Sequence, residues 1–243
     1  MKRELRVKVK IWSDIVCPWC YIGKRRLETA LDDFPHRDNV EIVYRSFQLD
    51  PSAEKHSGVS ATDMLAKKYR VSRERAEAMN ARVSALAAQE GLAYHLESAR
   101  HANTLDAHRL IHFAASHGRQ IEMKERLLRA YFAEGADVGD VETLVRLAAE
   151  IGLDAEVARE SLETGAFVDA VRADERRAQM LGITGVPFFV IDEQYGISGA
   201  QPTEVFAQAL REIWAESHPL MRVGTDGPDA GVCEGDACEV GQD

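Results

Sequence analysis

One stretch constrains this chain more than any other: Ser13-Asp14-Ile15-Val16-Cys17-Pro18-Trp19-Cys20-Tyr21-Ile22-Gly23. An alternating run, with Val7, Val9 and Ile11 facing one way and Lys8 and Lys10 the other, predicts a strand leading to Cys17. A helical pattern follows at once, and Pro18 suits the first helical position because its missing N–H would be unpaired there anyway. Cys17 then stands at a helix N-terminus, where free N–H groups and the positive end of the dipole favour a thiolate. Cys20 lies one turn further on, within disulfide reach. The layout expected is a dithiol–disulfide exchanger with one exposed, activated sulfur and one shielded sulfur. Two blander readings compete. A structural cysteine pair rarely brackets a proline at a strand-to-helix junction, and half a zinc site needs two further ligands.

The first helix carries Leu27, Ala30, Leu31 and Phe34 on one stripe and is expected to end before Pro35. Residues 40–47 read as a second strand, and a strand–helix–strand unit with short connections makes the two strands parallel. From about 60 to 181 the period is helical, with helices predicted over 60–69, 72–90, 103–117, 121–133, 141–151, 154–163 and 166–181. Gly91, Gly118, Gly135 and Gly152 fall at their stops, and Asp140 is a cap. Strands return at 187–192 and 195–198 around a tight turn at Glu193-Gln194, and Pro202 opens a last helix. The fold class is therefore α/β, β-α-β and β-β-α flanks closing one mixed sheet around a large all-helical insertion. Residues 1–58 and 181–217 are expected to form the two parts of the sheet domain, 59–180 the insertion and 218–243 a flexible acidic tail.

A net charge of -10 over 243 residues argues against nucleic acid or an anionic membrane as partner. Charges interrupt residues 1–10, so no secretory signal is read there, and the chain is expected in the cytoplasm with its thiols largely reduced. His101, His108, His112 and His117 invite a metal reading, but His108 and His112 lie off the Ala107, Leu110, Ile111 and Ala114 stripe. They are predicted to be solvated, with no metal site.

Gly182-Ile183-Thr184-Gly185-Val186-Pro187 precedes the second strand set, and X-Pro is where a cis peptide bond is tolerated. Together with Cys17-Pro18-Trp19-Cys20 and the element order, this resembles the DsbA family of thioredoxin-fold oxidoreductases. Asn103-Thr104-Leu105-Asp106-Ala107-His108-Arg109-Leu110 and Gly199-Ala200-Gln201-Pro202 look like its FrnE-type branch, where sheet domain and inserted helices share one cleft. The resemblance implies an enzyme without a prosthetic group, acting on protein thiols and disulfides and working with a cellular thiol reductant. It makes Cys17 the attacking thiolate and Cys20 the resolving thiol. It also makes Val186-Pro187 a cis-proline loop against the sulfurs, able to pair with a substrate strand. Asn103 and Thr104, sufficient as helix caps, would also face the cysteines.

Asp14 has two readings: it bonds turn N–H groups, or it takes the proton from Cys20 during resolution. Trp19 and Tyr21 offer apolar surface to an unfolded chain, although packing accounts equally for Tyr21. Trp19 stands where the strongly oxidising members have histidine, so less thiolate stabilisation and a potential more reducing than about -120 mV are predicted. Cys233 and Cys238, among Glu234, Asp236 and Glu239, can close a local disulfide, and the acidic surroundings make them poor attackers. FrnE-like proteins can carry such a pair, which makes it a candidate second redox pair attacked by Cys17. One zinc held by all four cysteines is the rival, and idle tail thiols are a further alternative. The fold also resembles kappa-class glutathione transferases and hydroxychromene-carboxylate isomerases, with glutathione as cosubstrate. Those typically place serine where Cys17 stands. A chaperone using the interdomain groove is the third reading.

Overall fold

The computed structural model describes residues 6–55 and 58–218, and the backbone of 233–234 and 237–238. Strand β1 (Val7–Ser13) runs into helix α1 (Pro18–Asp32), and strand β2 (Val40–Ser46) returns beside β1. Seven helices follow: α2 (Ala61–Tyr69), α3 (Arg73–Gln89), α4 (Leu105–Ser116), α5 (Gln120–Glu134), α6 (Val141–Glu150), α7 (Ala155–Glu163) and α8 (Val168–Met180). Strands β3 (Phe188–Ile191) and β4 (Tyr195–Ser198) and helix α9 (Thr203–Ser217) complete the main body. Beyond it, β5 (Cys233–Glu234) and β6 (Ala237–Cys238) form a two-stranded ladder. The rest of the tail lies outside the described residues.

The order in the four-stranded sheet is β2-β1-β3-β4. β1 and β2 are parallel with Ile11 opposite Tyr44, while β1–β3 and β3–β4 are antiparallel. The mixed sheet thus joins the two ends of the chain, with β1 in the middle. Val7, Val9 and Ile11 are buried on one face, where α1 lies beneath them and packs on α9. Lys8 and Lys10 point the other way and pair with Glu41 and Glu193. Near its end that second face also closes: Trp12 packs with Ala178, Ile183 and Val190, and its indole N–H donates to the Asp174 carbonyl, 2.9 Å.

Local chemistry stops the helices where turn residues permit it. Gly91, Gly118, Gly135 and Gly152 all have positive φ, which a Cβ would oppose, and Asp140 accepts a hydrogen bond from Thr143 N–H. The β3–β4 turn sits one residue earlier than the sequence suggests. Asp192 and Glu193 take the left-handed conformation, and Asp192 is held by the Lys8 N–H, 2.7 Å from Oδ1.

The histidines of α4 depart most from expectation. α4 contacts α5, α6, α7 and α8, so nearly every side is covered. His108 is 1% exposed and faces Asp14, and His112 Nε2 lies 3.0 Å from Asp174 Oδ2. Reading one apolar stripe assumes one buried face, and α4 has several.

Candidate active site

β1 ends at Ser13 and the chain turns through Asp14, Ile15 and Val16 before α1 starts at Pro18. Cys17 is the residue flanking the helix, in extended conformation, and Cys20 N–H donates to its carbonyl at 3.0 Å. Both cysteines are free and both are buried, at 4% and 3% exposure. The exposed sulfur expected at Cys17 is therefore covered. Its cover is the loop before β3: Val186–Pro187 is cis, and the Cys17 thiol donates to the Val186 carbonyl at 3.4 Å.

That loop is seated on α1. A Cβ on Gly23 would come within 3.1 Å of Pro187 Cγ and 3.3 Å of Phe189 Cζ, so only glycine gives the proline ring this approach. Gly199 N–H donates to the Pro187 carbonyl, 2.9 Å, and Arg26 donates to the Ala200 carbonyl, 2.7 Å. The Gly199-Ala200 segment thus braces the loop from β4.

The helical segment closes the other side. Tyr94 donates its phenol to the Pro18 carbonyl, 2.7 Å, and stacks on Phe132. Tyr21 is buried against Tyr94 and donates to Glu125, whereas Trp19 is 39% exposed beside the cysteines. Lys124 of α5 is 1% exposed, with its ammonium over the Tyr44 ring and no ion pair among the described residues. Thr104 and Asp14 line one cavity with Pro18, while Asn103 spends its amide on the Pro51 and Ala53 carbonyls and its oxygen on Leu105 N–H.

Asp14 is fully buried. Its carboxylate accepts from Ile15 N–H (2.7 Å) and Leu49 N–H (2.8 Å), with His108 Nε2 at 3.2 Å. Burial acts to raise its pKa, but the His108 hydrogen bond and charge, the Leu49 N–H and Lys124 outweigh that and hold it below the ordinary carboxylate value. A carboxylate so held is a poor proton acceptor, which favours the turn-bonding reading over proton transfer from Cys20. Its ionised form stabilises the fold above about pH 4, and this contribution is lost as pH falls through the lower folded value. Asp14→Asn removes it. The gap in unfolding free energy between the native protein and this variant is expected to narrow between about pH 6 and about pH 3, measured by urea denaturation.

The two thiols divide their proton opposite to the simple helix-dipole expectation. Cys17 is pushed up by its hydrogen bond to Cys20 and by burial. Burial also acts to raise Cys20, but the hydrogen bond from Cys17, the Lys124 charge, the Ser13 hydroxyl and the Asp14 N–H bring it down. The reason is the character of the neighbours. Cys20 faces donors and a cation, which favour its thiolate, and that sulfur's hydrogen bond and charge in turn favour the thiol form of the adjacent Cys17. Lys124 is itself pulled down by burial, against the charges of Cys20 and Asp14. Lys124→Met is expected to raise the Cys20 pKa and make the couple more reducing, by about 30 mV for each unit of that rise. Equilibration with glutathione buffers measures it, and a more oxidising variant contradicts it.

A family model described as DSBA-like thioredoxin domain matches residues 8–211. The chain belongs to that family. Among solved structures, this DsbA-like chain is similar to a probable DsbA oxidoreductase, SCO1869 from Streptomyces coelicolor: 49% identical, TM-score 0.84, over 97% of this chain and 99% of that one. It is also similar to an uncharacterized protein of Bacillus subtilis, YwbO, at 29% identity over 86% of this chain and 98% of that one. A 2-hydroxychromene-2-carboxylate isomerase shares the fold at TM-score 0.66 and 13% identity, over 86% of this chain and 97% of that one. Among the described residues no cluster of three or more His, Cys, Asp or Glu side chains could hold a metal ion. No helix among them is long and apolar enough to cross a membrane.

Sequence reasoning missed Tyr94 and Lys124 and placed His108 in solvent rather than against Asp14. Lys124 left a trace: it stands on the stripe of Leu128 and Tyr131 in α5, where a lysine interrupts core positions. Tyr94 falls between helices and carries no periodic signal.

Proposed function

We propose that this DsbA-like protein is a thiol–disulfide oxidoreductase or isomerase acting on protein substrates through Cys17 and Cys20, without a prosthetic group. The observation that supports this most is a buried dithiol at a helix N-terminus, one thiol held by the carbonyl of a cis-proline loop. In this reading a substrate strand adds to the Val186–Pro187 loop and takes over the Val186 carbonyl. Cys17 then loses its acceptor and passes its proton to the Cys20 sulfur. The Cys17 thiolate attacks one sulfur of the substrate disulfide, and the other leaves as thiolate. The substrate thiolate just released takes the Cys20 proton, and the Cys20 thiolate attacks Cys17; the mixed disulfide breaks, the second substrate sulfur departs as thiolate and Cys17–Cys20 becomes the disulfide. A cellular thiol of the cytoplasm returns it to the dithiol, and the reverse sequence oxidises a substrate.

Cys233 and Cys238 enter as a second pair that exchanges with Cys17, in keeping with the FrnE-like branch. The β5–β6 ladder sets their backbones opposite each other; their side chains lie outside the described residues. The glutathione-dependent isomerase reading has a likeness of fold alone behind it.

Trapping tests both parts. Cys20→Ala, offered a peptide disulfide, is expected to accumulate a Cys17–peptide mixed disulfide, identified by mass spectrometry. Without peptide, a Cys17-to-tail disulfide is expected. Absence of the peptide adduct removes the exchange mechanism, and absence of the tail adduct removes only direct internal exchange.

A further inference from the structure

The cavity beside the cysteines holds groups that disulfide exchange does not use. It measures about 640 Å³, within the range that takes a small organic molecule, and Pro18 forms part of its wall. Val16, Leu49, Met64, Leu65 and Phe132 make it largely apolar. Two hydroxyl residues line it and are otherwise buried, Thr104 at 2% and Tyr131 at 3% exposure. Neither hydroxyl has a hydrogen-bond partner among the described residues: Thr104 precedes α4 without capping it, and burial and the charges of Asp14 and Asp137, with no hydrogen bond, act on Tyr131. Neither is a sealed polar atom, as the Ser13 hydroxyl is among the described residues, so both hydroxyls open onto the cavity. Burial and the Asp14 charge keep the Tyr131 phenol protonated, hence a donor.

Lys67, Lys68 and Arg70, at the C-terminal end of α2, line the same cavity, and none has an anionic partner among the described residues. The acidic groups facing it are otherwise engaged, Asp14 as described and Asp50 with His101 at 3.2 Å. A chain of net charge -10 thus keeps an unneutralised cationic patch at one apolar cavity.

We propose that this cavity binds a small organic monocarboxylate: an apolar, ring-containing body in the pocket, a neutral oxygen acceptor at Thr104 and Tyr131, and the carboxylate at Lys67, Lys68 and Arg70. This goes beyond disulfide exchange and needs neither sulfur. Phe132, Tyr131 and Met64 suit an aromatic body, since ring–ring and sulfur–ring contacts add to its burial.

The probe is 6-methoxy-2-naphthoate, titrated by calorimetry into the full-length protein, with 2-naphthoate lacking the acceptor and 2-methoxynaphthalene lacking the charge. One saturable site is expected, with both controls binding more weakly. Lys67→Gln/Lys68→Gln is expected to weaken the naphthoates about tenfold and leave 2-methoxynaphthalene unchanged. Thr104→Val and Tyr131→Phe are expected to weaken 6-methoxy-2-naphthoate but not 2-naphthoate, which also shows that these variants remain folded. Cys17→Ala, devoid of exchange activity, is expected to bind the probe like the native protein, so failure of the redox reading leaves this result standing. No saturable binding below about 1 mM, or binding indifferent to both sets of variants, overturns the assignment.

Discussion

Cys17→Ala is expected to lower insulin reduction and scrambled-ribonuclease refolding to the rate of the thiol buffer alone. The expectation follows from what surrounds each sulfur. Cys17 is held by one carbonyl, at 3.4 Å, next to the exposed Trp19 and partly exposed Pro18. A substrate strand reaching the Val186–Pro187 loop arrives there first. Cys20 lies among Ser13, Asp14 and Lys124, all buried, and no loop carbonyl among the described residues lies on it for a substrate strand to replace. It cannot substitute as the entering nucleophile. Activity persisting in Cys17→Ala would move the chemistry away from the dithiol, towards glutathione-dependent turnover or chaperoning.

Arg109→Met is expected to cost stability on the order of 3–5 kcal/mol, the range for removing one member of a buried charged pair. Arg109, 4% exposed, donates to Asp106 (2.5 Å) and to the carbonyls of Ala166 (2.7 Å), Ser161 (2.6 Å) and Leu162 (2.8 Å). It joins α4 to the end of α7 and the turn before α8. Without it Asp106 keeps Lys55 alone, and the buried Leu162 carbonyl and the partly buried Ser161 and Ala166 carbonyls lose a donor. Urea denaturation measures the change, and a loss below about 1 kcal/mol rejects the clamp as a principal contact. The same variant is expected to disturb the site, because α4 also carries His108 to Asp14.

Much of the architecture was legible because it rests on local chemistry. The alternation of Val7, Val9 and Ile11, the proline at the start of α1, the glycines behind α3, α4, α5 and α6, and the Asp140 cap each act within a few residues. The turn at Asp192-Glu193 was misplaced by one residue: Asp192 is a residue that tolerates positive φ, but the apolar run before it read as a strand through that position, and Glu193 carries no such signal. The cysteine motif and the Val186-Pro187 loop stood out in the same way. Their surroundings did not. Whether His108 meets solvent or Asp14 depends on how α4 packs, and the direction of the Cys20 pKa depends in part on Lys124 of α5. Helix-end arguments describe one element, whereas the buried dithiol answers to all of its neighbours.

The origin of those neighbours has an engineering consequence. Lys124, His108 and Tyr94 all come from between β2 and β3, yet they set the charge, the carboxylate and the first turn around two cysteines encoded near the start of the chain. A four-residue motif transplanted onto a bare sheet domain carries the sulfurs and leaves their electrostatics behind. Redox tuning and domain docking are then the same set of contacts. A mutation that loosens the helices from the sheet should register as a shift in electrode potential before it registers as unfolding.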